Sequence, residues 1–281
     1  MAGYNPAYAY VVFLPLTPYI SVPSISTSET ENLMNIVVCV NHVPDTETRI
    51  KVGPDNRSID KTGVNNMLSP YDEVAVEEGL RLRDKFKGEV VAISLGSDAH
   101  KETLRKALAM GVDKAVLLKD DGARDSFAVA AGLAAEIRQR APDVVLFGKQ
   151  SIDYDDAQVG TLVAELLGLP SVAVIVKLDV QGGKAVCERE IEGGHEVVET
   201  KLPAVFLAQK GLNEPRYPSL KGIMAAKSKP IEEKPAVQSE VRVETIQMKK
   251  PPVKAKGRIL GTDKSAVPEL VRILHEEVRV I

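Results

Sequence analysis

The chain is poor in the residues that most often announce chemistry. Its 281 residues include two cysteines, Cys39 and Cys187, each inside an apolar or alternating run of strand character and neither in a C-x-x-C spacing. That excludes a disulfide framework and leaves buried, reduced thiols as the expected state. The four histidines, His42, His100, His195 and His275, show no H-x-x-x-H or H-E-x-x-H spacing, so no metal site is expected. A block of one charge is missing too. The 36 Lys and Arg are scattered among 39 Asp and Glu for a net charge of -3, which gives no footprint for nucleic acid.

Long apolar runs are lacking as well. The stretch Tyr10–Leu16 is too short to span a bilayer and is interrupted by Pro15 and Pro18, so no stable membrane insertion is expected. No Lys or Arg precedes Met34, which argues against a secretory signal and against an Arg-rich transit peptide. Residues 1–33, rich in Pro, Ser, Thr and Tyr, are expected to be a flexible or non-native extension, with the functional chain beginning at Met34. Enzyme signatures are also absent: there is no G-x-x-x-x-G-K-[ST], no G-x-G-x-x-G after the first strand and no G-x-S-x-G elbow. A self-contained catalyst is therefore hard to assemble, and no catalytic residue is assigned.

What is present is an α/β pattern. With 44% apolar residues the chain can bury a full core, and from Asn35 short β-branched runs alternate with longer amphipathic segments. Strands are expected at Ile36–Val40, Glu89–Ser94, Lys114–Leu118 and Asp143–Phe147, and helices at Tyr71–Phe86, Lys101–Met110, Ser126–Arg138 and Ala157–Leu167. In the first helix Ala75, Gly79, Leu82 and Phe86 form one stripe. Its start is marked by Ser69 as a cap, Pro70 in the first turn and Asp72 as a capping carboxylate.

After Pro170 the period changes to alternation in Val172–Val180, Ala185–Ile191 and His195–Thr200, with turns at Gly182–Gly183 and Gly193–Gly194. The fold class is thus α/β: a doubly wound, mostly parallel sheet with helices on both faces and an added antiparallel region. Residues 34–220 are expected to form this nucleotide-binding domain. Beyond Leu220 the chain is rich in Lys and Pro, and only Ser265–Val278 regains a helical pattern, so residues 221–281 are expected to be an extended arm wrapping a partner.

In an open parallel sheet the ligand crevice lies beyond the carboxyl ends of the strands, which selects Asn41–Asp45, Leu95–Ser97 and Gly148–Gly160. The last loop, GKQSIDYDDAQVG, leads into a helix whose free N–H groups suit a phosphate, with Lys149 adding positive charge and Gly148 and Gly160 permitting close approach. Asp153, Asp155 and Asp156 pull the other way. Helix capping by one or two of them is the expected role, with a carboxylate-bound Mg²⁺ the weaker alternative.

The motifs VVCVNHVPDT, SPYDEVAVEEGLRL, ETLRKALAMGVDKA, FGKQSIDYDDAQVG, EREIEGG and LNEPRYPSLKGIM follow one another in order, and together they closely resemble the electron transfer flavoprotein β subunit from Met34 to Lys229. The resemblance implies a heterodimer whose α subunit holds most of the contacts to a redox-active FAD, while the β subunit binds a structural AMP. Carried over by motif, the AMP site involves Cys39, through its backbone, then Ser69, Pro70, Tyr71, Asp72 and Leu95. It continues through Gly148, Lys149, Gln150, Ser151, Ile152, Asp153, Tyr154, Asp155, Asp156, Ala157, Gln158 and Val159.

Tyr71 matches the aromatic that faces the flavin ring from the β side, and Glu190 an acidic residue paired with the α subunit. Segment Asn213–Ala225 resembles the loop that docks onto acyl-CoA dehydrogenases, with Leu220 as its apolar anchor and Arg216, Tyr217 and Met224 around it. AAKSK stands where the family more often has a denser lysine run, which leaves the choice of dehydrogenase open.

The implied role is to accept electrons from such dehydrogenases in fatty acid oxidation and pass them to a quinone oxidoreductase, in a prokaryotic cytoplasm or, in a eukaryote, the mitochondrial matrix. Two alternatives stay open. One is a bifurcating type with a second FAD in place of AMP and NADH as donor, towards which VPDT and DAQVG lean, whereas LNEPRYPSLKGIM and EREIEGG lean towards the respiratory type. The other is a stand-alone adenine-nucleotide-binding enzyme or sensor that shares only the fold.

Overall fold

A computed structural model describes residues 10–11, 33–122, 124–253 and 256–281. The extension expected over residues 1–33 lies outside the described residues, save 10–11 and Leu33. The chain divides into two compact units, residues 1–51 with 60–245 and residues 52–59 with 246–281.

The first unit is built in chain order from β1 (Tyr10–Val11), β2 (Asn35–Cys39), β3 (His42–Pro44), β4 (Asn66–Leu68), α1 (Pro70–Phe86), β5 (Glu89–Gly96), α2 (His100–Met110) and β6 (Lys114–Lys119). It continues with α3 (Ser126–Arg140), β7 (Val144–Gly148), α4 (Val159–Leu167), β8 (Ser171–Gln181), β9 (Lys184–Ile191), β10 (Gly194–Lys201), β11 (Ala204–Ala208), α5 (Leu220–Ser228) and β12 (Ile231–Pro235). One sheet runs β1-β10-β9-β8-β11-β7-β2-β5-β6-β12, and β3 and β4 form a small antiparallel pair. The pairings of β9 with β8 and with β10 are antiparallel, while the other pairings in the large sheet are parallel.

Alternation along each central strand feeds two cores. Ile36, Val38, Leu146 and Phe206 face one side with Leu80 of α1 and Leu104 of α2. Val37, Val145 and Leu207 face the other with Leu133 and Ile137 of α3 and Val163 of α4. The helices therefore cover both faces, as the doubly wound pattern requires.

Several elements were not expected from the sequence, among them α5 in the stretch beyond Leu220. β11 (AVFLA) is buried along its whole length between β7 and β8, so it carries a continuous apolar run rather than an alternating one. The β3–β4 pair is too short to show a period. β12 (IEEKP) lies in the Lys- and Pro-rich stretch and pairs in parallel with β6. Ion pairs hold it in place of apolar burial, with Glu233 on Lys101 and Lys119, and Glu232 on Arg140. The main unit consequently runs on to Thr245, past the boundary expected at Leu220.

The second unit contains the antiparallel bridge Val52–Ile59, the hydrogen bond from Met248 N to Asn56 O, and a C-terminal helical stretch. That stretch is a 3₁₀ turn at Lys264–Ala266, then α6 (Val267–Arg272), then π-type turns at Ile273–Val278. Arg272 ties it together by pairing with Glu269, Glu276 and Glu277. Among the described residues no helix is long and apolar enough to cross a membrane.

Candidate functional site

A cavity of ≈650 Å³ opens beyond the carboxyl ends of β2, β5 and β7, within the range of ~300–1,000 Å³ usual for small-molecule sites. Of the residues expected to bind a nucleotide, it is lined by Cys39, Asp72, Leu95, Gly148, Lys149, Gln150, Ser151, Asp153, Tyr154, Asp156, Ala157, Gln158 and Val159. Ser69, Pro70, Tyr71, Ile152 and Asp155 are not part of its wall. Burial, and then the negative charge of Asp72, push the Cys39 thiol well above its usual range, so it meets the cavity as a neutral group.

Asp72 forms the floor of this cavity. It was expected to cap α1, yet its carboxylate turns away from the helix and accepts N–H groups from the ends of two strands, Asn41 at 2.8 Å and Gly148 at 3.0 Å. Asn41 lies just past the end of β2, and Gly148 is the last residue of β7, opposite Ala208 of β11. Ser69 occupies the N-cap position of α1 without a side-chain cap bond, and its buried Oγ has no hydrogen-bond partner. Burial raises the Asp72 carboxyl to about 7, against the two N–H bonds that lower it, with Asp153 and Glu73 adding to the rise.

The two glycines, both of which line the cavity, are also places where packing leaves no room for a side chain. A Cβ at Gly148 would lie 2.6 Å from Asp72 Oδ1 and 2.6 Å from Tyr71 Cβ, and one at Gly160 2.9 Å from Leu207. The first lets the start of α1 reach the sheet; the second seats α4 on β11.

The acidic loop does not cap α4. Asp155 and Ala157 adopt left-handed backbone (φ 54 and 53), so the helix begins at Val159, past the reach of the three carboxylates. Each has another partner. Asp153 accepts from Ser151 Oγ, Tyr154 N and Asn41 Nδ2, Asp155 from Gln150 Nε2, and Asp156 from Ser126 Oγ. Gln158 at the N-cap makes no side-chain bond, so the first N–H groups of α4 stay available on the side of the cavity. Lys149, whose Nζ sits 5.1 Å over the Tyr71 ring, supplies a cation at the same rim.

The opposite wall was not anticipated. It comes from the start of α3, with Phe127, Val129 and Leu133, and from a returning irregular stretch of chain with Arg242, Val243 and Thr245. Asp125 joins them, since Oδ1 caps α3 through Ala128 N and Oδ2 accepts the N–H groups of Arg242 and Val243. The Arg242 guanidinium stacks 3.5 Å over the Phe127 ring centroid. The α3 part of this wall was legible, because it follows the carboxyl end of β6. The returning chain was not, because contact across a hundred residues leaves no local pattern.

The expected docking residues lie elsewhere on the first unit. Tyr217, Leu220 and Met224 are 97%, 84% and 67% exposed. Leu220 opens α5, whose N-cap Ser219 accepts from Gly222 N, and α5 is tied to α2 where Arg105 donates to Ala226 O and Lys229 O. Arg216 is turned inward, with Nε donating to Glu77 Oε2 at 2.7 Å and NH2 to Oε1 at 3.2 Å. Glu190 is exposed on β9 and accepts from Gln209 Nε2 at 2.9 Å. Among the described residues no group of three or more His, Cys, Asp or Glu side chains is placed to hold a metal ion.

The Electron transfer flavoprotein domain family matches residues 57–239. An electron transfer flavoprotein subunit beta of Syntrophomonas wolfei subsp. wolfei is 44% identical over 225 residues, which cover 80% of this chain and 88% of that protein. The Bacillus subtilis subunit beta is 38% identical over 259 residues, 88% of this chain and all of that one. A caffeyl-CoA reductase-Etf complex subunit, CarD, of Acetobacterium woodii is 41% identical over 202 residues, covering 70% and 77%.

Proposed function

The chain belongs to the electron transfer flavoprotein β-subunit family, and from that premise we propose that its crevice binds AMP while the chain pairs with an α subunit that holds FAD. The observation that carries the crevice reading is the start of α4. Its N–H groups have no side-chain cap, Lys149 stands beside them, and the three nearby carboxylates are each engaged by a donor. A phosphate there meets the positive end of a helix with local repulsion reduced. The apolar wall of Ile93, Leu95, Phe147, Val159 and Leu133 suits a base and ribose.

FAD supplies the redox chemistry when bound, as cofactors of this kind do. This chain's part is to scaffold and recruit. Tyr71 contributes to the flavin's surroundings, and Glu190 pairs with a cation of the α subunit. Residues 246–281, with exposed Val253, Ile259 and Val280, wrap that subunit. The Leu220 segment docks acyl-CoA or related dehydrogenases of fatty acid oxidation, and the electrons leave through a quinone oxidoreductase. The setting is a prokaryotic cytoplasm, or the mitochondrial matrix in a eukaryote.

A second reading is a bifurcating subunit with FAD in the crevice, accepting hydride from NADH. The likeness to CarD and a crevice as large as ≈650 Å³ favour it. Denaturing the purified heterodimer and counting released nucleotides separates the two. One FAD and one AMP per heterodimer is the expected result, and two FAD with no AMP would overturn the AMP assignment.

A further inference from the structure

We propose that Arg216 is a positioning residue: it clamps the docking segment onto α1 and so sets where Leu220 and Tyr217 stand, without touching the partner itself. The inference rests on the docking reading above for its functional consequence, but its structural basis is independent of it.

Glu77 and Glu78 lie in the middle of α1, and both are buried, an unusual position for carboxylates on a helix packed against a sheet. Each faces the 213–216 segment. Asn213, itself buried, donates through Nδ2 to Glu78 Oε2 at 2.9 Å and to Val74 O at 3.1 Å. Arg216 gives Glu77 three bonds, two from the guanidinium and one from its own backbone N–H at 3.2 Å. Arg81, one turn on, adds a further donor to Glu77 at 2.9 Å, and Asp84 lies 3.5 Å from Arg216 NH2.

This is a two-point, forked attachment, and its geometry restricts rotation as well as distance. The Nε and NH2 groups of the guanidinium are both committed to Glu77, with Asp84 3.5 Å from NH2, which leaves NH1 as its remaining donor. The segment beyond it is short and stiff: Tyr217 stands between Pro215 and Pro218, and Ser219 then caps α5. The far end of α5 is held separately, by Arg105 of α2 and by Lys229 Nζ donating to Val112 O at 2.9 Å.

The exposed apolar side chains are therefore carried on a span fixed at both ends. Holding them in one arrangement before contact removes part of the ordering cost that association otherwise pays. Arg216 acts on docking through that cost, so its loss weakens encounter and leaves the electron-transfer step within the docked complex unchanged.

The test uses the complete heterodimer with three variants, Arg216→Gln, Arg216→Lys and Leu220→Ala, each read by amide hydrogen exchange and by steady-state reduction with an acyl-CoA dehydrogenase from the same cell. For Arg216→Gln the amides of 216–223 should exchange faster, and KM for the heterodimer should rise about tenfold with kcat unchanged. Arg216→Lys keeps the charge but loses the fork, and should recover part of both effects. Leu220→Ala should raise KM with exchange as in the unaltered protein.

A raised KM with unaltered exchange in Arg216→Gln would make the residue a direct contact and overturn the clamp, as would no change in either reading. Faster exchange in Arg216→Gln together with an unaltered KM in Leu220→Ala would uphold the clamp and remove the docking reading instead.

Discussion

Asp72 and Glu77 stand five positions apart on α1, both buried, and are shifted in opposite directions. Asp72 is satisfied by two neutral backbone N–H groups, which do not offset its burial, and its carboxyl rises to about 7. Glu77 is also pushed up by burial, but Arg216 and Arg81 outweigh that and hold it below the ordinary carboxylate range. The difference lies in the charge of the donor, since hydrogen bonds alone do not replace lost hydration of an anion. One end of the helix thus carries a carboxyl poised to exchange a proton at the crevice, and the middle carries one held as an anion by Arg216 and Arg81.

The sharpest way to break that contrast is Glu77→Ala, which strands Arg216 beside α1. Because the Arg216 side chain is 37% exposed, the expected loss is about 2–3 kcal/mol by denaturant unfolding of the heterodimer, below the ~3–5 kcal/mol of a fully buried pair. Next in size is Gly148→Ala at the crevice end, where the added methyl meets Asp72 and Tyr71. About 1–3 kcal/mol of overpacking cost is expected and, on the proposed AMP reading of the crevice, weaker AMP binding by calorimetry. Unchanged stability would mean that α1 can retreat from the sheet.

Asp72→Asn is the smallest of these effects and the most specific. Its amide accepts one of the two N–H groups, so about 1 kcal/mol is lost near pH 4. A carboxyl raised from 3.8 to about 7 binds its proton more tightly in the folded chain, so its contribution to stability is greatest below about pH 4 and is lost as pH climbs to about 7. The gap between the unaltered protein and Asp72→Asn should therefore close and then reverse over that window, when thermal midpoints are taken in small pH steps. His100 works in the opposite sense, because burial lowers it to about 4 and its neutral form is favoured as pH rises from about 4 to 6.5. The comparison must for that reason be between variants and never within one titration.

The same two ends of α1 show how far the sequence could be read. The central strands and the first four helices follow from period and length, and the crevice loops follow from where those strands end. Asp72 lines the cavity but does not cap α1 as expected: a carboxylate three residues past Ser69 has the spacing of a cap, and spacing says nothing of which way the side chain turns. Arg216 was grouped with Leu220 because they are neighbours in sequence, whereas its partner Glu77 is separated from it by most of the domain. Arg242 at the crevice and β12 at the sheet edge were hidden for the same cause. Both belong to chain of low apolar content that long-range polar bonds recruit, and such bonds have no period.

β12 also settles how the sheet ends. Its last strand, Ile231–Pro235, carries two carboxylates and an ammonium and is closed by a proline with no N–H to offer, so another chain finds neither an apolar strip nor an unbroken ladder to join. Directly beneath lies β6, KAVLLK, whose Ala115 to Leu118 are buried. A chain cut before Ile231 would uncover that strand, and the consequence of such a truncation is colloidal: molecules would meet edge to edge and precipitate before any loss of electron transfer could be measured.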